Sequence, residues 1–186
     1  MESKAYTYTC SFSNIHKPER WKMPDDIKLV EQRMGKKSPL GTAGKPVIFK
    51  MKAQLLNDGR SIVPLGETEN MWSWIKVYAS GGENTLHAHP NEDHMFVILA
   101  GEANFYGPNG EEATLCRNDG IMLPAGTLYH FNACSKEPLV LLRVGARHGN
   151  GTEDMYRVGA DGKPLPGGSK KNKWKPPVYR ENEYYE

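Results

Sequence analysis

Between residues 47 and 144 the chain reads as a succession of short strand-like segments separated by turns. Asn57-Asp58-Gly59 and Gly107-Pro108-Asn109-Gly110 are the strongest turn signals among them. Many short strands with Gly, Pro and Asn turns predict an all-β sandwich or barrel with a single core. The predicted strands are 47–56, 60–64, 72–79, 84–89, 93–99, 102–106, 112–116, 120–123, 128–133 and 139–144.

Three of the six histidines lie within eight residues, at His87, His89 and His94. A His-x-His pair on a strand presents both imidazoles on one face, because side chains alternate with period two. His94 follows a short polar turn, 90–93, and opens an apolar run that is typical of a returning strand. Imidazole is the commonest protein ligand for divalent transition metals. The pattern therefore predicts a hairpin that carries a three-histidine metal site.

The spacing of Gly81, His87-x-His89, His94 and Gly101 resembles the first conserved motif of the cupin superfamily, in which the position of His94 is usually glutamate. Residues 124–129 resemble the second cupin motif. The two matches together span about residues 81–132. The resemblance implies a double-stranded β-helix, a jelly-roll-like barrel with a metal inside.

The second motif departs from the family pattern because Tyr129 stands where the fourth ligand, a histidine, is usual, and His130 follows one residue later. In the family a Glu-Pro-Leu-like strand start follows the ligand, and Glu137-Pro138-Leu139 lies at the distance from Tyr129 that this resemblance implies. Strand parity then turns His130 to the opposite face. We therefore favour a three-histidine site with Tyr129 as the catalytic residue. An insertion in the turn would instead make His130 a fourth ligand, and this alternative stays open.

Composition excludes several classes of partner. Lys plus Arg number 24 and Asp plus Glu 22, so the net charge of +2 does not predict a nucleic-acid partner. No apolar stretch reaches the 18 or so residues that predict a membrane span, and residues 1–7 lack the apolar core of a signal peptide. Cys10, Cys116 and Cys134 are widely spaced and odd in number, which favours reduced thiols. We expect a cytoplasmic protein.

The length of 186 residues suits one domain, for which we predict three parts. Residues 1–46 form an N-terminal arm with a short helix at 24–35, residues 47–148 form the barrel, and residues 149–186 form an extension packed on it. The strand 72–79 carries bulky side chains on both faces, which predicts burial on both sides, inside a sandwich or at an interface. That strand and the N-terminal arm are the predicted contacts of a homodimer.

Three functions agree with these features. The first is a non-haem Fe(II) dioxygenase that acts on a small oxygenated organic compound, since the resemblance includes dioxygenases with three histidine ligands. The second is a non-redox cyclase, isomerase or lyase that uses Zn(II) or another divalent ion as a Lewis acid. The third is a cupin that binds a metal or ligand without turnover. Aromatic residues near the motifs favour an apolar or aromatic substrate over a sugar or a phosphate.

Overall fold

The computed structural model describes residues 46–79, 84–148 and 157–186. The predicted helix at 24–35 and almost all of the predicted arm 1–46 lie outside these residues. Residues 47–186 make one compact unit, so the predicted division of this part at residue 148 stays a prediction.

The described residues fold into twelve strands and a single 3₁₀ turn, and every pairing between the strands is antiparallel. This confirms the predicted all-β class. The strands are β1 Ala53–Asp58, β2 Arg60–Glu67, β3 Met71–Tyr78, β4 His87–Ala88, β5 Glu92–Ala100, β6 Ala103–Tyr106, β7 Glu112–Leu115, β8 Gly120–Leu123, β9 His130–Ala133, β10 Leu139–Arg147, β11 Val158–Gly159 and β12 Val178–Tyr185, and the 3₁₀ turn is Lys170–Asn172.

The core is enclosed by a five-stranded sheet in the order β2-β3-β10-β5-β8 and a three-stranded sheet in the order β7-β6-β9. Side chains from the inner faces of both sheets meet in one aromatic and aliphatic cluster that includes Phe96, Phe105 and Phe131. Phe105 and Phe131 stack with ring centroids 4.9 Å apart. Burial of such rings is the main stabilising contribution in a barrel of this size.

β3 lies inside the five-stranded sheet, between β2 and β10. Trp72 and Tyr78 on one face, and Ile75 and Val77 on the other, are each exposed by no more than 1%. The prediction that this strand is buried on both faces is confirmed. Its backbone is paired on both sides, so β3 has no free edge for pairing with a second subunit. The predicted homodimer therefore cannot form by adding a strand to β3.

Two predicted hairpins are wrong in their partners. β1 does not pair with β2 across Asn57-Asp58-Gly59; it pairs with β12, and β2 pairs with β3. β4 pairs with β11 and not with β5, which pairs with β10 and β8. The turn at 107–110 does join a hairpin, β6 with β7, as predicted.

The cysteines differ from expectation at one position. Cys134 is a free, exposed thiol, but Cys116 is disulfide-bonded. The expectation of reduced thiols is therefore wrong for Cys116, and Cys10 lies outside the described residues. No helix in the part of the chain that the structure describes is long and apolar enough to cross a membrane.

Candidate metal centre

Strand β5 directs Glu92 and His94 into the barrel. Residues of one parity on this strand, Glu92, His94, Phe96 and Ile98, are buried, whereas their neighbours are partly exposed. Glu92 and His94 are each only 2% exposed. Side chains two residues apart share a face of a strand. Glu92 and His94 therefore lie on the same inward face of β5 as the core residues Phe96 and Ile98.

His87 and His89 reach the same region from a different part of the chain. The backbone of His87 exchanges two hydrogen bonds with that of Tyr129, with N···O distances of 3.0 and 2.9 Å. The N–H of Gly126 donates to the carbonyl of His89. The two motifs are thus held together by backbone pairing, although the predicted hairpin between β4 and β5 does not form.

His89, Glu92 and His94 form a buried group in which one ligand atom from each residue lies within 4.8 Å of the others. His94 Nε2 lies 3.0 Å from Glu92 Oε2, and His89 Nδ1 lies 3.9 Å from the same oxygen. The rings of His89 and His94 have centroids 4.2 Å apart. Two imidazoles and a carboxylate are a donor set that suits Fe(II), Zn(II) and related ions. The residues present therefore fit a divalent metal.

His87, the third predicted ligand, lies beside this group without being part of it. Its ring centroid is 5.2 Å from that of His89. Nδ1 lies 2.7 Å from the carbonyl oxygen of Thr85, and because a carbonyl only accepts, Nδ1 carries the proton and Nε2 carries the lone pair. Nε2 is buried and has no hydrogen-bond partner. An outer hydrogen bond of this kind is typical of metal-binding histidines.

Arg143, on β10, lies against the histidines. Its Nη2 lies 3.1 Å from His89 Nε2 and 3.1 Å from His94 Nδ1. Glu92 accepts from His94 Nε2–H, which leaves Nδ1 of His94 able to accept from the guanidinium. A metal ion at either of these nitrogens would compete with Arg143 for the same lone pair.

Trp72 holds the carboxylate of Glu92 in place. Its indole Nε1–H donates to Glu92 Oε1 over 2.9 Å. Burial opposes ionisation of Glu92, but the hydrogen bonds from His94 and Trp72 outweigh it and lower the pKa of this carboxyl group. Gly145 leaves room for Trp72, since a side chain at that position would overlap the indole ring.

The three histidines are held neutral. Burial is the main cause of the lowered pKa of each, because it disfavours the imidazolium form, and nearby arginines add to the effect. The pKa of His87 falls to about 2 and that of His94 to about 4. Metal binding requires a neutral imidazole, so these side chains carry the free lone pair without losing a proton first.

Tyr129 and His130 point to different surroundings. Tyr129 is 4% exposed, and its ring centroid lies 4.5 Å from that of His87. Burial raises the pKa of its phenol, so the group is protonated near neutral pH. His130 instead stacks on Tyr106, with a centroid distance of 4.7 Å and an angle of 16° between the rings.

An open cavity reaches the centre from the side of β2 and β3. It has an empty volume of about 500 Å³, including its mouth. Its lining residues are Arg60, Ile62, Trp74, Lys76, His89, Arg143, Arg157, Gly167 and Trp174. His89 is the one member of the His89–Glu92–His94 group that faces this cavity, so a ligand would approach the group past that imidazole.

Sequence reasoning missed Glu92, Arg143 and Arg157. Glu92 was assigned to the polar turn, although its spacing of two from His94 is a signal that both share a strand face. Arg143 is the only charged residue in the apolar run 139–144, which is the signal for a buried arginine with a special partner. The sequence around Arg157 has no periodic pattern that would predict its position in the site.

Comparison with known proteins identifies the fold. Residues 74–145 match the model of the cupin domain family. Over 55 residues the chain is 38% identical to the protein YdbB of Bacillus subtilis (strain 168), a match that covers 30% of this chain. The chain spans about half the length of this curated relative, namely 49%.

Solved structures with a similar arrangement of strands share little sequence with the chain. A cupin superfamily protein from Desulfitobacterium hafniense DCB-2 is 16% identical, with a TM-score of 0.46, over 52% of this chain and 84% of its own. A protein with a double-stranded β-helix domain from Klebsiella pneumoniae is 21% identical, with a TM-score of 0.45, over 50% and 82%. The DMSP lyase DddQ from Ruegeria pomeroyi DSS-3 is 21% identical, with a TM-score of 0.46, over 56% and 53%.

Proposed function

We propose that the chain is a metal-dependent cupin enzyme, a non-haem Fe(II) dioxygenase that acts on a small oxygenated organic compound. His89, Glu92 and His94 hold the ion, and His87 supplies a further nitrogen through Nε2. The observation that carries the proposal is the buried His89–Glu92–His94 group. Two histidines and one carboxylate with open positions are the ligand set of oxygen-activating Fe(II) sites.

The bound ion would supply Lewis acidity and, as Fe(II), electrons for oxygen chemistry. The side chains around it have separate tasks. Tyr129 is protonated and buried beside His87, so its phenol orients the substrate or donates a proton to it. Phe96, whose ring lies 5.8 Å from that of Tyr129, helps to exclude water from this side of the centre.

The test of the metal is its identity after anaerobic purification. Stoichiometric iron, together with oxygen consumption in a screen of small oxygenated compounds, would support the dioxygenase. Bound Zn(II) with turnover that does not need oxygen would replace it by the second candidate, a cyclase, isomerase or lyase in which the ion polarises a carbonyl group or a bound water.

A specific contact favours the third candidate, a cupin that binds a ligand without turnover. Arg143 already occupies the lone pairs of His89 Nε2 and His94 Nδ1. Protein that takes up neither iron nor zinc in dialysis, but still binds a small molecule, would support this candidate and exclude the enzyme.

We also propose that the protein is cytoplasmic and homodimeric. Disulfides are rare in the cytosol, so the disulfide at Cys116 argues against this location, and its redox state in the cell is the test. Thiols can be blocked at cell lysis and then counted by mass spectrometry. A blocked Cys116 would support the cytoplasm, and an intact disulfide would place the protein in an oxidising compartment.

A further inference from the structure

Four cationic side chains line the cavity beside His89. Arg60 and Lys76 come from β2 and β3, Arg143 comes from β10, and Arg157 precedes β11. In the sheet, Arg60 is opposite Tyr78 and Leu141 is opposite Lys76. Lys76 is therefore a diagonal neighbour of both Arg60 and Arg143 on one face, at the roughly 7–8 Å that separates such positions.

Arg60, Lys76 and Arg143 are buried, and Arg157 is half-buried. Lys76 is 5% exposed and Arg143 is 2% exposed. Arg157 Nε and Nη1 and Arg143 Nε are buried with no hydrogen-bond partner. Lysine and arginine are almost never buried to this extent unless a group of opposite charge pairs with them.

For three of the four, no carboxylate of the described residues lies within ion-pair distance, although Glu92 acts on Arg143 at longer range. Lys76, Arg143 and Arg157 form no ion pair with any carboxylate in the ranges 46–79, 84–148 and 157–186. The ammonium of Lys76 lies 5.2 Å from the ring centroid of Tyr78, and Arg143 contacts neutral imidazoles. Arg60 donates to the carbonyl of Gly167 at the rim of the cavity.

Burial and the crowding of like charge both act on the pKa values of two of these groups. Burial lowers the pKa of Lys76 well below its ordinary value, and the charges of Arg143, Arg157 and Arg60 add to the shift. Burial, and then Arg143, lower the pKa of Arg157 to about 10. The like charges around the cavity repel one another, and an anion bound between them would relieve the repulsion.

We propose that this cavity binds the carboxylate of a small organic acid, with Lys76, Arg143 and Arg157 as its counter-charges and the body of the acid against Trp74. The identification of this acid as the substrate rests on the proposed function. The anion site itself does not, since the cations line the cavity with or without a metal. Because His89 lines the same cavity, the acid lies next to the candidate metal centre.

The lining favours an organic acid over an inorganic oxyanion. Trp74, Trp174 and Ile62 give the cavity an apolar wall, and Trp74 stacks on Trp72 at a centroid distance of 4.2 Å. A planar guanidinium matches the two oxygens of a carboxylate, and an indole face suits a flat organic body. The sequence-based expectation of an apolar or aromatic substrate is thereby refined to one that also carries a negative charge.

The first experiment compares benzoate with benzamide, which has nearly the same shape without the charge. Binding to the purified protein is followed by tryptophan fluorescence at constant ionic strength, with and without a chelator. Benzoate should bind, and benzamide should bind at least about tenfold more weakly, the loss expected from removing charge-assisted hydrogen bonds. Equal binding of the two, or none by benzoate up to the order of 10 mM, would overturn the proposal.

The second experiment uses Lys76→Met, which keeps the length of the side chain and removes its charge, with the exposed Lys50→Met as a matched control. Lys76→Met should weaken benzoate binding at least about tenfold and raise the melting temperature of the ligand-free protein, whereas Lys50→Met should change neither. A lysine with a merely structural role would lower the melting temperature and leave the affinity unchanged. If Lys76→Met does not fold, Arg157→Gln tests the same loss of affinity.

Inorganic phosphate is the third probe. Tight binding of phosphate with no binding of benzoate would show that the pocket serves a phosphate group, and the carboxylate assignment would be wrong. Benzoate binding that survives the chelator supports the pocket even if no metal is found. Bound iron without benzoate binding would support the proposed metal centre and overturn the proposal that the cavity binds an organic acid.

Discussion

Arg143 Nη2 lies 3.1 Å from His89 Nε2, one of the two ring nitrogens that this histidine could offer to a metal. Arg143 is buried and always charged, so it opposes a cation at this position and favours an anion. The same side chain belongs to the wall of the cationic cavity. Metal binding and anion binding are therefore coupled through one guanidinium.

Replacing Arg143 with methionine should strengthen metal binding. The substitution removes a positive charge next to two ligand nitrogens and frees both lone pairs, so we expect the affinity for Fe(II) or Zn(II) to rise at least about tenfold. Benzoate binding should fall in the same protein. Dialysis against buffered metal, with metal analysis by mass spectrometry, measures the first effect. A loss of metal in Arg143→Met would show instead that the guanidinium holds the imidazoles in their ligating orientation.

The proposed ligands should differ in importance. We expect His89→Ala, His94→Ala and Glu92→Gln each to release most of the metal, because these residues form the buried group within 4.8 Å. His87→Ala should weaken binding less, since its Nε2 is outside that group. The metal content of each purified variant is the measurement, and circular dichroism checks that the barrel is folded. Full occupancy in His94→Ala would exclude both the three-histidine prediction and the His89–Glu92–His94 assignment.

The sequence predicts the strands well because their signals are local. β3, β6, β8 and β10 lie close to their predicted positions, and the hairpin at 107–110 forms because Gly110 has a φ of +83°, which glycine adopts without strain. The partners of β1 and β4 could not be predicted. They are supplied by β12 and β11, which lie about 70 residues or more away in sequence, and such pairing depends on tertiary packing rather than on local turns.

The sequence also predicts only the part of the candidate site that has a local signal. Spacing of two identified the shared face of His87 and His89, but the assignment of Glu92 to a turn hid its shared face with His94. The counter-charges of the cavity come from three separate segments that meet only in the fold. The sequence pattern does not predict that these three cations cluster. Its one signal is the single charge of Arg143 in an apolar run.

Tyr129 and His130 can be separated by paired substitutions. Tyr129→Phe should keep the metal and lower turnover about 10–1000-fold, the effect of losing a proton donor or an oxyanion hydrogen bond. His130→Ala should leave metal content and turnover nearly unchanged, because this ring stacks on Tyr106. Metal analysis and turnover of the compound found in the screen give both readouts. Metal lost from His130→Ala, with little effect at Tyr129, would establish a four-histidine site.

The predicted homodimer should form through an edge of the five-stranded sheet. Its edges are β2 and β8, and Met122 on β8 is 74% exposed. Unpaired edge strands are sites of association, so we expect a two-fold dimer with twice the chain mass of 20.9 kDa. Met122→Glu should shift the mass measured by light scattering to that of the monomer. Met71→Glu is the control, because Met71 is 50% exposed but lies on a strand paired on both sides. A monomeric mass for the unmodified protein at micromolar concentration would refute the dimer.

Lys76 should make stability rise with pH in the ligand-free protein. Burial and the neighbouring arginines lower its pKa in the folded state, whereas in the unfolded chain it titrates near its ordinary value of 10.5. Between these two pKa values the unfolded state binds the additional proton, so the free energy of unfolding increases with pH in that window and is constant below it. Urea titrations across alkaline pH should show this rise in the unmodified protein and in Lys50→Met. The rise should be smaller in Lys76→Met, and saturating benzoate should also reduce it, because the bound carboxylate stabilises the ammonium form. Equal slopes in all three proteins would show that Lys76 is charged and satisfied without a ligand.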